Sequence, residues 1–196
     1  NMKESQNINP KVIYDIGSCV LHWTKVAKIV WPEAKYYLVE SMEHVKFLYD
    51  ENNIDGYHLG VVGDRDGKQI IFYENPMDPG GNSYYKENER YSPQANVLYD
   101  KSTELTKTML TLDTLVKKYG WPKPDLVKMD IQGSELDVLR GMPDTIKSVQ
   151  NLILEMQRVE YNLGAPLKDD IISYLKSIGF ELVTNFCDNG PDGDYH

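Results

Sequence analysis

Cysteine is scarce in this chain of 196 residues, with Cys19 and Cys187 the two present. Two thiols so placed supply neither a disulfide scaffold nor a Cys-x-x-Cys redox or zinc motif, and a reducing cytoplasmic setting is expected. Long apolar runs are lacking as well. No stretch approaches the roughly 18 consecutive apolar residues of a membrane span. The first residues, Asn-Met-Lys-Glu-Ser-Gln-Asn, have no basic region followed by an apolar one, so neither a membrane partner nor a secretory signal is expected. Positive charge is in deficit: 21 Lys and Arg face 30 Asp and Glu, a formal charge of −9. Such a surface repels phosphate-rich polymers, which argues against a nucleic-acid partner. There is no internal repeat and no Ser/Gly linker, so residues 1–196 read as a single domain.

What is present is a succession of short apolar runs, enough to exclude disorder. The runs rich in Val, Ile, Leu and Tyr fall at residues 12–16, 36–39, 57–62, 125–129, 151–155 and 181–186. They alternate with helix-period segments at 24–30, 42–51, 111–119, 134–142 and 168–178, and Gly120 and Gly179 stand as C-terminal stops of two of these. That alternation predicts an α/β fold, a mostly parallel sheet with helices on both faces, because continuous apolar strands are those buried on both sides. One segment departs from it. After the turn Gly63-Asp-Arg-Asp-Gly67, residues 69–73 read as an extra strand in a hairpin with the one before. From Asn75 to about Thr106 the chain is rich in Pro, Gly, Asn, Ser and Tyr. So long an irregular stretch inside a domain is either a binding loop or disordered.

In an open α/β sheet, ligands bind beyond the carboxyl ends of the strands. Here the residues at those ends are repeatedly acidic: Asp15, Glu40, Asp64, Asp130, Glu155 and Asp188. Six carboxylates along one edge repel one another unless a cation, hydroxyl donors or protons share the site. The first strand runs into Asp15-Ile-Gly17-Ser18-Cys19, where a glycine permits close backbone approach, but the Gly-x-Gly-x-x-Gly dinucleotide fingerprint is absent and Asp15 has the wrong charge for a pyrophosphate. Glu40 ends the second strand, the usual place for an acid that accepts hydrogen bonds from ribose hydroxyls. A phosphate-free nucleoside carrying positive charge fits this inventory, and S-adenosylmethionine is one.

The segment Leu126-Val-Lys-Met-Asp130-Ile-Gln-Gly133-Ser-Glu135-Leu-Asp-Val-Leu-Arg-Gly141 resembles the signature of the FkbM-type S-adenosylmethionine-dependent methyltransferases. Asp15-Ile-Gly17, Glu40, Thr111-Leu-Asp113, Gly80-Gly-Asn-Ser83 and Leu152-Ile-Leu-Glu155 add to it. The resemblance implies a Rossmann-like class I methyltransferase fold and O-methylation of a small-molecule or carbohydrate acceptor. It implies that Asp15, Gly17, Ser18, Glu40, Asp64 and Asp130 surround the cofactor, with Gln132, Ser83 and Tyr84 at the acceptor. Two departures stand out. Leu21 occupies the place of a glycine in the family's first loop, where a branched side chain would narrow the site, and the chain ends where a final antiparallel strand is expected.

Methyl transfer to a hydroxyl needs a base, for which Asp130, Glu135 and Glu155 are the candidate carboxylates and His22, His44 and His58 the imidazoles. A divalent cation on Asp130 and Glu155 is a second route that no motif specifies, so no metal is predicted. Two other classes stay open at this point: a non-catalytic binding module of the same fold, and a nucleotide-dependent Rossmann-like oxidoreductase.

Overall fold

The computed structural model describes residues 8–183 and 194–195. Its centre is a parallel five-stranded sheet in the order β3-β2-β1-β7-β8, formed by β1 (Val12–Ile16), β2 (Lys35–Glu40), β3 (Gly56–Leu59), β7 (Leu126–Met129) and β8 (Asn151–Leu154). Alternation of side chains across each strand sorts the core into two layers. Tyr14, Ile16, Tyr37, Val39, Val127 and Met129 face one layer. It is covered by α4 (Leu112–Tyr119), α5 (Glu135–Arg140) and α6 (Lys168–Ser177). Ile13, Tyr36, Leu38 and Leu126 face the other, covered by α1 (His22–Val30) and α2 (Lys46–Glu51). Thr111 caps α4 by accepting the Thr114 N–H, and Gly120 ends it in the left-handed conformation. The winding reverses between β1 and β7: successive strands move one way from β1 to β3 and the other way from β7 to β8.

The segment after β3 differs from the sequence expectation in pairing. The expected strand at 57–62 is broken at Gly60 into β3 and β4 (Val61–Val62). β5 (Gln69–Tyr73) is not the hairpin partner of the strand before it. It runs antiparallel to β6 (Glu104–Leu110), which pairs parallel with β4 in a separate sheet ordered β4-β6-β5. β6 begins inside the stretch read as irregular because its Glu, Thr and Lys residues form no apolar run, and much of the strand is exposed. Between β5 and β6 lies α3 (Ala95–Leu98). Residues 181–183 lie in no strand, Leu182 and Val183 being exposed, and the rest of the expected strand at 181–186 is outside the described residues. β9 (Met156–Gln157) pairs antiparallel with β10 (Asp194–Tyr195).

Candidate functional site

A cavity of about 610 Å3, its open mouth included, lies over the carboxyl ends of β1, β2 and β7, at the point where the winding reverses. This is where parallel α/β sheets bind ligands, since the loops leave in opposite directions and open a crevice. Its wall combines apolar Ile16, Val39, Val61, Val62, Phe72 and Ile131 with the backbone of Gly17 and Gly60 and the carboxylates of Glu40 and Asp130.

The loop after β1 is held by Glu40. Cys19 N–H donates to Glu40 Oε2 at 2.8 Å, while Ser41 N–H, Ser41 Oγ and Met42 N–H donate to Oε1 at 2.7, 3.0 and 3.1 Å. One carboxylate therefore aligns the loops after β1 and β2, with Oε2 carrying the lighter load. Gly17 is in the left-handed region, and a Cβ there would stand 2.0 Å from the Asp130 carbonyl oxygen. Its glycine is required by the close passage of the first loop over the loop after β7. Cys19, Leu21 and Gln132 also have positive φ, at 46°, 70° and 51°. Each costs about 1–2 kcal/mol for a residue with a Cβ. Three of the four such non-glycine positions among the described residues thus sit in the two loops that flank the cavity, the fourth being Asn53.

The Leu21 side chain does not narrow the site. It is fully buried in the layer of Ile13, Trp31 and Leu38, away from the cavity wall. Ser18 also turns inward, its hydroxyl on Tyr49 OH at 2.9 Å. Asp15 points beneath the loop rather than into the cavity: Oδ2 accepts from Thr24 Oγ1 at 2.5 Å, and Oδ1 lies 3.1 Å from Lys128 Nζ. That ammonium also donates to the Gly17 carbonyl at 3.1 Å and stands 3.6 Å from Asp130 Oδ2. Burial pulls the Lys128 ammonium down, but the carboxylates of Asp15 and Asp130 overcome it and hold its proton above the ordinary lysine range.

On the β7 side, Gln132 joins two carboxylates. Its Nε2 donates to Glu155 Oε2 at 2.8 Å and to Asp130 Oδ1 at 3.3 Å. Asp130 is 40% exposed at its side chain, so this group is presented to a ligand. The irregular segment forms the facing wall through Pro79, Gly80, Asn82 and Tyr84. It is pinned at several points. Ser83 Oγ donates to the Gln132 carbonyl at 2.9 Å, Tyr84 OH and Tyr85 OH donate to Asp137 Oδ2 at 2.9 and 2.7 Å, and Asn162 Nδ2 donates to the Tyr85 carbonyl at 2.7 Å. Asn82 Oδ1 accepts the Asn75 N–H at 2.7 Å, which leaves its buried Nδ2 without a hydrogen-bond partner among the described residues. The family resemblance includes Asn82 in the Gly80-to-Ser83 turn but gives it no role, because its place in the wall depends on the fold of the whole segment.

Glu135 does not line the cavity. It is buried at the start of α5, Oε1 accepting the Ile131 N–H at 3.0 Å, and burial pushes its carboxyl up to about 8 against the backbone N–H groups that favour the charge. Asp64 lies outside the wall in a loose pair with Lys68 at 3.5 Å, and Asp188 lies outside the described residues. His22 and His44 are exposed, and His58 packs on Tyr119 with its imidazole pushed down by burial; none of the three lines the cavity. Of the six acids expected at strand ends, Glu40 and Asp130 line the cavity, Glu155 is tied to Asp130 through Gln132, and Asp15 is tied to Asp130 through Lys128. No group of three or more His, Cys, Asp or Glu among the described residues could hold a metal ion, and no helix among them is long and apolar enough to cross a membrane.

A cavity over the switch point of a mostly parallel sheet, acid-lined and without a phosphate loop, places this chain among Rossmann-like methyltransferase folds. The sequence matches the Methyltransferase FkbM domain over residues 14–182, and the chain belongs to that family. It is similar to hexuronic acid methyltransferase AglP of Haloferax volcanii, 42% identical over 64 residues that make up 32% of this chain and 27% of AglP. A second similarity is to AMB antimetabolite synthetase AmbE of Pseudomonas aeruginosa, 28% identical over 109 residues, 50% of this chain and 5% of AmbE. The matched segments thus span about a quarter of one curated relative and a twentieth of the other.

Proposed function

We propose that the protein is an S-adenosylmethionine-dependent methyltransferase that methylates a hydroxyl oxygen on a sugar or a small natural product. The observation that carries this reading is the pair of carboxylates, Glu40 and Asp130, set in the wall of one largely apolar cavity at the switch point. The donor set fits the cofactor. Apolar Val39, Val61, Val62 and Phe72 suit a purine, Glu40 Oε2 suits a ribose hydroxyl, Asp130 suits a positive sulfonium or ammonium, and the orphaned Asn82 Nδ2 offers a donor to an oxygen of either ligand.

When bound, the cofactor supplies a methyl group on a sulfonium, a carbon already activated for in-line displacement. The protein's share is position and proton removal. Glu40 orients the nucleoside, with the Cys19, Ser41 and Met42 N–H groups keeping its carboxylate in place. Asp130 takes the proton of the acceptor hydroxyl, and Gln132 keeps Asp130 and Glu155 in register. Tyr84, fixed through Asp137, walls the acceptor end. Glu135 holds the Ile131 N–H and so the shape of the loop. The similarity to AglP, named for a hexuronic acid, supports a carbohydrate acceptor.

Calorimetric titration with S-adenosylmethionine and S-adenosylhomocysteine tests the reading. Binding of both is expected, and Glu40→Ala weakens it more than tenfold, ~1.4 kcal/mol or more. An absence of heat from both ligands would overturn the proposal. Release of S-adenosylhomocysteine in the presence of neutral hexosides and hexuronosides then identifies the acceptor, and Asp130→Asn is expected to abolish turnover while weakening cofactor binding only in part, because Glu40 still holds the nucleoside end.

A further inference from the structure

The small β4-β6-β5 sheet interrupts the parallel winding, and neither the family match nor the acids at the strand ends gives it a task. Its strand β6 carries Lys107, whose ammonium makes three contacts, two of them with cavity residues that are distant in sequence. It donates to the Ser41 carbonyl at 2.7 Å, pairs with Glu74, and lies 4.8 Å from the centroid of the Phe72 ring. Both members of the ion pair are largely enclosed, Lys107 at 17% and Glu74 at 12% side-chain exposure. Phe72 and Ser41 line the cavity, and Lys107 does not, so the ammonium stands behind the wall. Ser41 is also the residue whose N–H and hydroxyl hold Glu40 Oε1. One cation therefore fixes an aromatic wall and, through a single residue, the carboxylate beside it.

We propose that Lys107 is a positioning residue for the nucleoside end of the cavity, and that the β5–β6 hairpin serves to deliver it there. This rests on the cofactor reading above. The chemistry recognised is a purine against Phe72 and a ribose diol against Glu40, both placed by the ammonium without touching it. A lysine that merely tied the hairpin to the sheet would affect stability and leave ligand discrimination alone. One that sets Phe72 and Glu40 controls how well the site tells a ribose from a deoxyribose, because Glu40 gains from the 2′-hydroxyl only when it is correctly held.

The test measures dissociation constants of S-adenosylhomocysteine, adenosine and 2′-deoxyadenosine for the wild-type protein, Lys107→Met and Lys107→Arg, with the thermal melt of each free protein recorded. Wild type is expected to prefer adenosine to 2′-deoxyadenosine. Lys107→Met is expected to weaken S-adenosylhomocysteine and adenosine by a similar factor, about tenfold, and to shrink that preference, while Lys107→Arg, which keeps the charge over Phe72, restores both to within about threefold. An unchanged preference in Lys107→Met overturns the proposal, even if its melting temperature falls. Should Lys107→Met not fold, Glu74→Gln loosens the ammonium from one side and is expected to move the preference in the same direction; no movement overturns the proposal. Failure of the wild type to bind S-adenosylhomocysteine removes the cofactor reading and this proposal together, whereas tight binding that ignores Lys107 removes only the proposal.

Discussion

Lys128 Nζ lies 3.1 Å from Asp15 Oδ1, and the two residues are register partners across the seam between β1 and β7. Both are buried on the face covered by α1, from which Thr24 reaches the other carboxylate oxygen. Removal of Lys128 takes the cation from the buried Asp15 carboxylate, which costs about 3–5 kcal/mol, whereas removal of both charges is far milder. Lys128→Met is accordingly expected to destabilise by that amount, and Asp15→Asn/Lys128→Met to recover most of it. Urea denaturation of the two single variants and the double variant checks this; losses that simply add would show that the pair is not coupled.

Glu135 gives the fold a pH dependence of unusual sign for a carboxylate. Its folded carboxyl is raised by burial to about 8 from the ordinary 4.5, so the native state keeps a proton that the unfolded chain releases. Stability from this group is therefore full below pH 4.5 and is lost as pH rises toward 8, an effect on the order of a few kcal/mol. Glu135→Gln keeps an acceptor for the Ile131 N–H and removes the titration. Chemical denaturation between pH 5 and 8.5 is expected to give a flatter profile for the variant, which becomes the more stable protein at the alkaline end. A profile parallel to wild type would refute the buried acid.

Leu21 sets two effects against each other. Its left-handed backbone costs about 1–2 kcal/mol, which glycine would relieve. Its fully buried side chain contributes more, since truncation of a core leucine costs about 2–5 kcal/mol. Leu21→Gly is expected to lower stability by about 1–3 kcal/mol and to leave S-adenosylhomocysteine affinity within about threefold, because the side chain is outside the cavity wall. Thermal melts and titration check the two halves separately.

Asp137 accepts from two successive tyrosines, and with them it fastens the facing wall to α5. Loss of either hydroxyl costs about 1 kcal/mol, and loss of the carboxylate strands both phenols, which burial and Asp137 together keep protonated. Asp137→Ala is expected to raise hydrogen exchange across residues 79–92 far more than Tyr84→Phe or Tyr85→Phe alone. Equal protection in all three would show that the segment is held elsewhere.

The parallel core was legible in sequence because its strands are continuous apolar runs, and the place of Glu40 and Asp130 at the strand ends followed from that. Residues whose roles depend on pairing were harder to see. β6 reads as polar because much of it stays exposed, so Lys107 gave no signal. Asp15 carries the same acidic pattern as Glu40, yet it is level with Leu38, two residues short of Glu40 on the same face, and so it lies beneath α1 beside Lys128 instead of facing a ligand. The left-handed Cys19 and Gln132 were illegible for another reason: nothing in a cysteine or glutamine announces a conformation that its surroundings impose.

The seam between β1 and β7 also sets a timetable. Ile13 pairs with Leu126, which is 126 − 13 = 113 residues further along. At synthesis rates of about 5–20 residues per second, β1 waits roughly 6–23 s on the ribosome for that neighbour. Until then it has only β2 beside it, and its other edge and the unpaired Asp15 stay open. The cavity is thus completed only once β7 has been made, and until then the open edge of β1 is free to pair with another strand edge.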